Sequence, residues 1–191
     1  MKKNILIASG AAAVAIIVIA VMIISVRNSL IALDESVDEA WAQIETQLQR
    51  RMDLIPNLVK TVKGYAKHEK EVFTAVSEAR SKLLNAKTPV QKAEADSLMG
   101  QTLGRLLAIA EKYPELKADN SFIRLQDELA GTENRIAVAR NRYNSIVKKY
   151  NAKIRQFPGS MFAPGLGLEK REYFRTEDHK KAMQVPQVEF K

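Results

Sequence analysis

From Ile5 to Val26 the chain runs through 22 residues without a charge, interrupted only by Ser9, Gly10 and Ser25. About 20 apolar residues in helical form span a hydrocarbon core of roughly 30 Å, so this run is long enough to cross a bilayer. Beyond it the pattern turns from continuous to periodic. Apolar or small residues stand at Leu30, Leu33, Val37, Trp41, Ile44, Leu48, Met52, Ile55, Val59, Val62 and Ala66, ten steps over 36 residues. The mean step of about 3.6 is the repeat of one helix face. The same face continues through Phe73, Val76, Arg80 and Leu83. No strong breaker lies between Ile5 and Ile55, so the pattern predicts that the apolar run feeds directly into the first soluble helix as a rigid stalk.

Pro56 interrupts this face. An interior proline removes one backbone hydrogen bond and crowds the preceding turn, at a cost of about 3 kcal/mol. Either Asp53 caps a new helix with Pro56 in its first turn, or one helix bends at Pro56 and continues. The apolar phase does not slip there and no glycine is near, which favours the bent helix. Met52 is the residue whose carbonyl such a bend frees, and Arg50, Arg51 or Asn57 are placed to satisfy it. Arg50, Arg51 and Asn57, with Pro56, form a candidate hinge.

Later boundaries are sharper. In NAKTP, Asn85 to Pro89, Thr88 reads as a cap and Pro89 as the first helical residue. A second helix follows through Ala93, Leu98, Leu103, Leu107 and Ala110, with Pro114 beyond its end. A link, YPELKADNS, leads to a third helix capped by Asn120 or Ser121. Its face reads Phe122, Leu125, Leu129, Ile136, Ala139, Tyr143, Val147, Tyr150, Ile154 and Phe157, and Pro158-Gly159 ends it. The tail is different: MFAPGLGL has no helical period, EKREYFRTEDHKKAM could form a short helix, and VPQVEF is extended around Pro186. No useful strand alternation appears upstream. The expected fold is all-α, an antiparallel long-helix bundle behind an N-terminal transmembrane helix. Residues 1–27 form the stub and anchor, 28–158 the bundle, and 159–191 an irregular tail.

Composition refines the anchor. A cleaved signal peptide has an apolar region of about 7–15 residues and a small-residue exit. This run is longer, and IISVRNSL offers no such exit, so an uncleaved signal anchor is expected. With no cysteine in the chain, a lipoprotein anchor, disulfides and zinc-thiolate sites are excluded together. Lys2 and Lys3 precede the run, and Arg27 is the single base between it and Arg50. Lysine and arginine near the ends of a span favour the cytoplasmic side. The expectation is a single-pass inner-membrane protein with a cytoplasmic N-terminus and a periplasmic or extracellular bundle.

The net charge of +8 is unevenly spread. Between Glu133 and Glu169 there is no acid but there are seven bases, Arg135, Arg140, Arg142, Lys148, Lys149, Lys153 and Arg155. A solvated face is the plain reading. A membrane surface is the next, because each base near an anionic leaflet contributes about 1 kcal/mol. That reading requires the end of the third helix to lie near the bilayer. Arg135, Arg142, Lys149 and Lys153 are its candidates, with Met161 and Phe162 of the apolar tail loop, since exposed apolar patches mark interfaces. The same charge suits nucleic acid, but a membrane anchor makes that partner remote.

Catalysis finds little support. Glu45, Asp53, His68 and Glu69 are the titratable residues around the proline, and general acid–base work needs groups converging on one substrate. Adjacent residues on a helix diverge by about 100°, and eight residues span about 12 Å. His68 and His179 are the two histidines, and no Glu-x-x-His pair, phosphate-binding loop, nucleophile elbow or HExxH occurs. No metal or cofactor is expected. Trp41 and Tyr65 read as core, and Gly64 as a site of close backbone approach.

Longer motifs carry a resemblance. Trp41-Ala42-Gln43, Gln47-Leu48-Gln49-Arg50-Arg51, Asp53-Leu54-Ile55-Pro56-Asn57-Leu58-Val59 and Val62-Lys63-Gly64-Tyr65-Ala66 with His68-Glu69 resemble the LemA family. So do Ala79-Arg80, Tyr113-Pro114-Glu115-Leu116-Lys117, the Tyr143-Asn144 and Tyr150-Asn151 pairs, and Phe157-Pro158. The resemblance covers essentially the whole chain, with VPQVEF the loosest match. It implies a membrane-anchored bundle of the four-helix type without established enzymatic activity. It also implies membership of a group that includes a magnetosome membrane protein, and so a role in membrane organisation. It supplies no binding or catalytic residues. The resulting expectation is a scaffold or assembly module, not an enzyme, whose partners are the lipid bilayer, further copies of itself and an unidentified protein. The alternative is a tethered receptor or adaptor binding a peptide or small ligand in a pocket at Pro56, lined by Arg50 or Arg51 and Tyr65.

Overall fold

A computed structural model describes residues 2–175, with side chains from Gly10 onward. VPQVEF, His179 and the second half of EKREYFRTEDHKKAM lie outside the described residues. Among the described residues there are six α-helices and one 3-10 turn, and no strand: α1 Lys2–Tyr65, α2 Lys70–Asn85, α3 Pro89–Ala110, α4 Pro114–Lys117, α5 Asn120–Arg155, α6 Gly159–Phe162 and a 3-10 turn Pro164–Leu166.

The first helix is 64 residues long and contains Pro56. It carries one stretch apolar and long enough to cross a membrane, and none of that stretch is buried. Helix α1 thus passes Pro56 without ending, and the freed carbonyl of Met52 accepts from Arg80 Nε at 3.5 Å. The donor is Arg80 of α2, not Asn57, nor Arg50 and Arg51, which pair with Glu128 and Asp96. Where the periodicity suggested one face running on to Leu83, the backbone instead breaks at 66–69. The seven residues from Ala66 to Phe73 equal two helical turns, so the apolar phase survives the break and hides it.

The chain divides into two compact units, residues up to Glu39 with Ser145–Arg171, and Ala40–Asn144 with the chain from Glu172. In the second unit four long helices, joined by Leu116 of the short α4, contribute one core. Ile55, Leu58 and Val62 of α1 meet Phe73, Val76 and Ala79 of α2, Met99, Leu103 and Leu106 of α3, and Phe122 and Leu129 of α5. Thr88 caps α3 as expected, its side chain accepting from Gln91 N while the Gln91 side chain accepts from the cap backbone. The cap of α5 is Asp119, not Asn120 or Ser121. Its Oδ1 accepts from Ser121 N at 2.8 Å and Phe122 N at 2.9 Å. Those two N–H donors hold the Asp119 carboxyl below its ordinary range, as an anion at a helix N-terminus should be held.

In the first unit the end of α5 turns back on α1. Val147, Tyr150 and Ile154 of α5 are buried, as are Leu30 and Val37 of α1. Phe157, expected on the same face, is 77% exposed, because α5 ends at Arg155 and the turn carries it outward. MFAPGLGL is not wholly irregular: it forms α6 and the 3-10 turn, closed by Gly167 at φ 67°, a conformation glycine adopts freely. A side chain at Gly159 would run into the Lys153 carbonyl, and its Cβ would sit 3.5 Å from Leu30 Cδ2.

Candidate functional site

The residues around Pro56 do not come together. Glu45 approaches Lys92 at 3.7 Å, Asp53 accepts from Gln49 Nε2 at 2.8 Å, Glu69 approaches Lys112 at 3.8 Å, and His68 is exposed. Their partners are separate, on α3, on α1 itself and just past the end of α3, and no group of three metal-ligating side chains occurs among the described residues. Gly64 faces open space rather than a neighbouring backbone. Tyr65 is not core: it is 38% exposed, and its hydroxyl donates to Asp119 Oδ2 at 3.0 Å. That bond and the adjacent negative charge raise the Tyr65 pKa.

Arginine 51 has a different environment. It is 5% exposed, and one of its terminal nitrogens, Nη1, donates to Asp96 Oδ1 at 2.8 Å and approaches Glu133 Oε2 at 2.7 Å. Helices α1, α3 and α5 each supply one member. Asp96 is buried and Glu133 half exposed. Burial pushes the Asp96 carboxyl up, and Arg51 pulls against it without prevailing. Arg51 Nε is also buried, with no acceptor, and Gln47 Oε1, one turn earlier on α1, is buried with no donor. Gly100 lies against the guanidinium, with Nη2 3.7 Å from where a Cβ would stand.

Beside this cluster lies a cavity of about 670 Å³. Its walls include Arg51, Asp96 and Glu133, the amides Asn141 and Asn144, and Phe174 of the segment after Leu168. That segment was expected to join a short helix; from Glu169 to Arg175 it contains none. In the second unit Asn144 grips it reciprocally, Nδ2 donating to Phe174 O at 3.1 Å and Oδ1 accepting from Phe174 N at 2.9 Å. Tyr143 donates to Glu172 O at 2.8 Å. The buried Phe174 ring lies 6.2 Å from Trp41, which stacks on Tyr143 at 5.4 Å. An amide side chain that takes both backbone groups of one residue replaces the ladder a sheet would give it. In the first unit Tyr150-Asn151 repeats the device: Asn151 exchanges two bonds with Arg171, at 2.9 and 3.0 Å, and Tyr150 donates to Glu169 O at 3.0 Å. Arg171 then reaches Asp34 through Nε and Nη2, at 3.2 and 2.9 Å. Burial works against its charge, but the Asp34 bonds outweigh it and hold the pKa up.

The remaining candidates are dispersed. Pro56 lines a groove of about 470 Å³ with Lys60, Lys63 and Arg80, and Tyr65 lines another with Asn57 and Asp119. The pocket expected at Pro56 therefore has neither Arg50, Arg51 nor Tyr65 in its wall. Arg50 pairs with Glu128 at 2.9 Å. Arg135 stands 3.9 Å from the same carboxylate, and Arg142 donates to Gln43 Oε1 at 3.1 Å. Lys149 is exposed, Lys153 and Phe162 are half-buried, and Met161 is 67% exposed. The pairs Tyr143-Asn144 and Tyr150-Asn151 were visible in the sequence, and their seven-residue spacing was the available signal, but it names no partner.

Comparison with known proteins adds identity to this geometry. The chain is 27% identical over 176 residues to the magnetosome protein MamQ 2 of Paramagnetospirillum magneticum, a match covering 78% of this chain and 65% of that protein. The magnetosome protein MamQ of Magnetospirillum gryphiswaldense matches to the same extent. Protein LemA of Metamycoplasma hominis is 26% identical over 157 residues, 80% of this chain and 70% of that one. The chain thus spans about 65% of the length of its magnetosome relatives. The LemA family model aligns with residues 40–190, which include the Arg51 cluster, Pro56 and both Tyr-Asn pairs, and on that match the chain belongs to the LemA family.

Proposed function

We propose that this protein is a membrane-anchored helical scaffold that self-associates and organises membrane or partner proteins, without catalysing a reaction. The observation that carries the reading is the single 64-residue helix, α1, which joins an exposed apolar stretch to the wall of a four-helix core. A helix that is apolar all round is stable in lipid, and one that continues without a break passes on the position of its anchor. The bundle lies on the periplasmic or outer side of the inner membrane, following the charges that flank the span. The kinship with magnetosome proteins supports a role at membranes. Mass photometry of the detergent-extracted full-length chain tests self-association: multiples of 21.4 kDa are expected, and a strict monomer at micromolar concentration contradicts it.

One observation favours a second reading, a receptor or adaptor. The cavity beside Arg51 has the volume of a small-molecule site, and Arg51, Arg140, Asn141 and Asn144 stand together in its wall. A ligand with a carboxylate or carbonyl oxygen would accept from such donors. Ligand-induced thermal stabilisation that vanishes in Arg51→Lys supports this reading; no stabilisation across carboxylate-bearing small molecules and peptides removes it.

A further inference from the structure

The first unit holds a surface that the scaffold reading leaves without a role. Phe157, in the turn that links α5 to α6, is 77% exposed, and Met161, on α6, is 67% exposed. Such large apolar side chains four residues apart are costly in water. The last turn of α5 carries Lys153 and Arg155, and no acid lies between Glu133 and Glu169.

The height of this turn is set by Gly159. It is buried between the Lys153 carbonyl and Leu30 Cδ2, with a Cβ built on it 3.5 Å from the latter. Leu30 follows Val26, the last residue of the uncharged run, by four residues, or about 6 Å of helix. The headgroup layer on each side of a hydrocarbon core of roughly 30 Å is about 5–7 Å thick. The turn therefore sits at headgroup height when the run fills the hydrocarbon. The acids of α1 interfere little: Asp34 and Asp38 are paired with Arg171 at 2.9 and 3.3 Å. Glu35 stands nine residues beyond Val26, about 13 Å, which puts it about 7 Å outside the headgroup layer, close to one Debye length of about 8 Å. Arg27, exposed at the end of the run, adds to the basic ring.

We infer that the turn around Gly159 is a foot that rests in an anionic headgroup layer, Phe157 and Met161 entering it while Lys153, Arg155 and Arg27 face lipid phosphates. The inference rests on the anchoring of α1 and adds a second grip on the same leaflet. Amphipathic aromatic and basic residues at this depth hold a domain against a membrane. A foot of this kind fixes the tilt and rotation of the bundle about its anchor.

The test uses the full-length chain, whose lack of cysteine makes an introduced thiol unique. An environment-sensitive fluorophore on Met161→Cys is compared with one on Ile123→Cys, in vesicles containing phosphatidylglycerol and lipids spin-labelled either at the headgroup or near the bilayer centre. Flotation reports insertion separately. The expected result is strong quenching at 161 by headgroup labels, weaker quenching by central ones, and none at 123. Quenching at 161 falls in purely zwitterionic vesicles, and falls in K153E/R155E while flotation and helix content persist. A floating protein whose 161 label is as unquenched as 123 overturns the foot, and additional shielding from aqueous iodide would assign that face to protein instead of lipid. A chain that fails to float overturns the anchoring, and the foot with it.

Discussion

Arg51 shows how a single buried charge commits three helices to one arrangement. Burial keeps the Asp96 pKa raised in spite of the pairing with Arg51. Such a cluster specifies register more than it stabilises. Removing one partner is different, because it strands the other. Arg51→Ala should lower stability by about 3–5 kcal/mol at neutral pH in chemical denaturation, and Asp96→Asn in the same chain should restore part of it. A group whose folded pKa is raised takes up its proton in the folded state first, so stability falls as pH rises through that value. The Arg51→Ala deficit should therefore shrink as the solution is acidified and Asp96 becomes neutral. A deficit that is small, or that is independent of pH, contradicts the buried pair. Asp119 has the opposite sign. Its folded pKa is lowered, so its capping contribution is present above the ordinary carboxylate range and is lost as pH falls through the lowered value. Asp119→Ala should destabilise at pH 7, and its thermal midpoint should converge with that of the unaltered chain in acid.

Among the elements, α1 is the one whose proline breaks nothing. Pro56 is exposed, and Arg80 supplies the Met52 carbonyl with only a long bond. Pro56→Ala should therefore stabilise the bundle by about 2–2.5 kcal/mol, the helix gain of about 3 kcal/mol being offset by the freedom returned to the unfolded chain. Destabilisation on denaturant melting would mean that the bend itself is required for packing. The segment after Leu168 makes the converse case, since it has no helix and is held by side chains. Asn151→Ala removes two bonds to Arg171, worth about 1–3 kcal/mol together, and should expose Glu169–Arg175 to limited proteolysis. Equal protease resistance would sink that account. These elements also show what the sequence could and could not disclose. The faces of α1 and α5 were legible because burial repeats with the helix, and Thr88-Pro89 because caps are local chemistry. The break at 66–69 was not, because the apolar phase bridges it, and Gly64 just before it reads as readily as a site of close packing. The segment at 169–175 was not, because nothing in EKREYF forbids a helix and its partners lie about 20 residues away or more on α5. Likewise the Arg51 cluster joins positions 51, 96 and 133, and no local pattern links them.

For the whole molecule, the account rests on α1 being membrane anchor and bundle wall at once. A scan of single cysteines along α1 in intact cells, read with a membrane-impermeant maleimide, tests this most directly. From Gly10 to Val26 labelling should be absent. Beyond Ser36 it should follow the helix, strong at exposed Glu45, Thr46 and Gln49, weak at buried Ile44 and Leu48, and keep its phase past Pro56 to Lys60 and Lys63. Labelling within the apolar stretch, or reactivity beyond Ser36 that appears only after the membrane is opened or loses its period at Pro56, would contradict it.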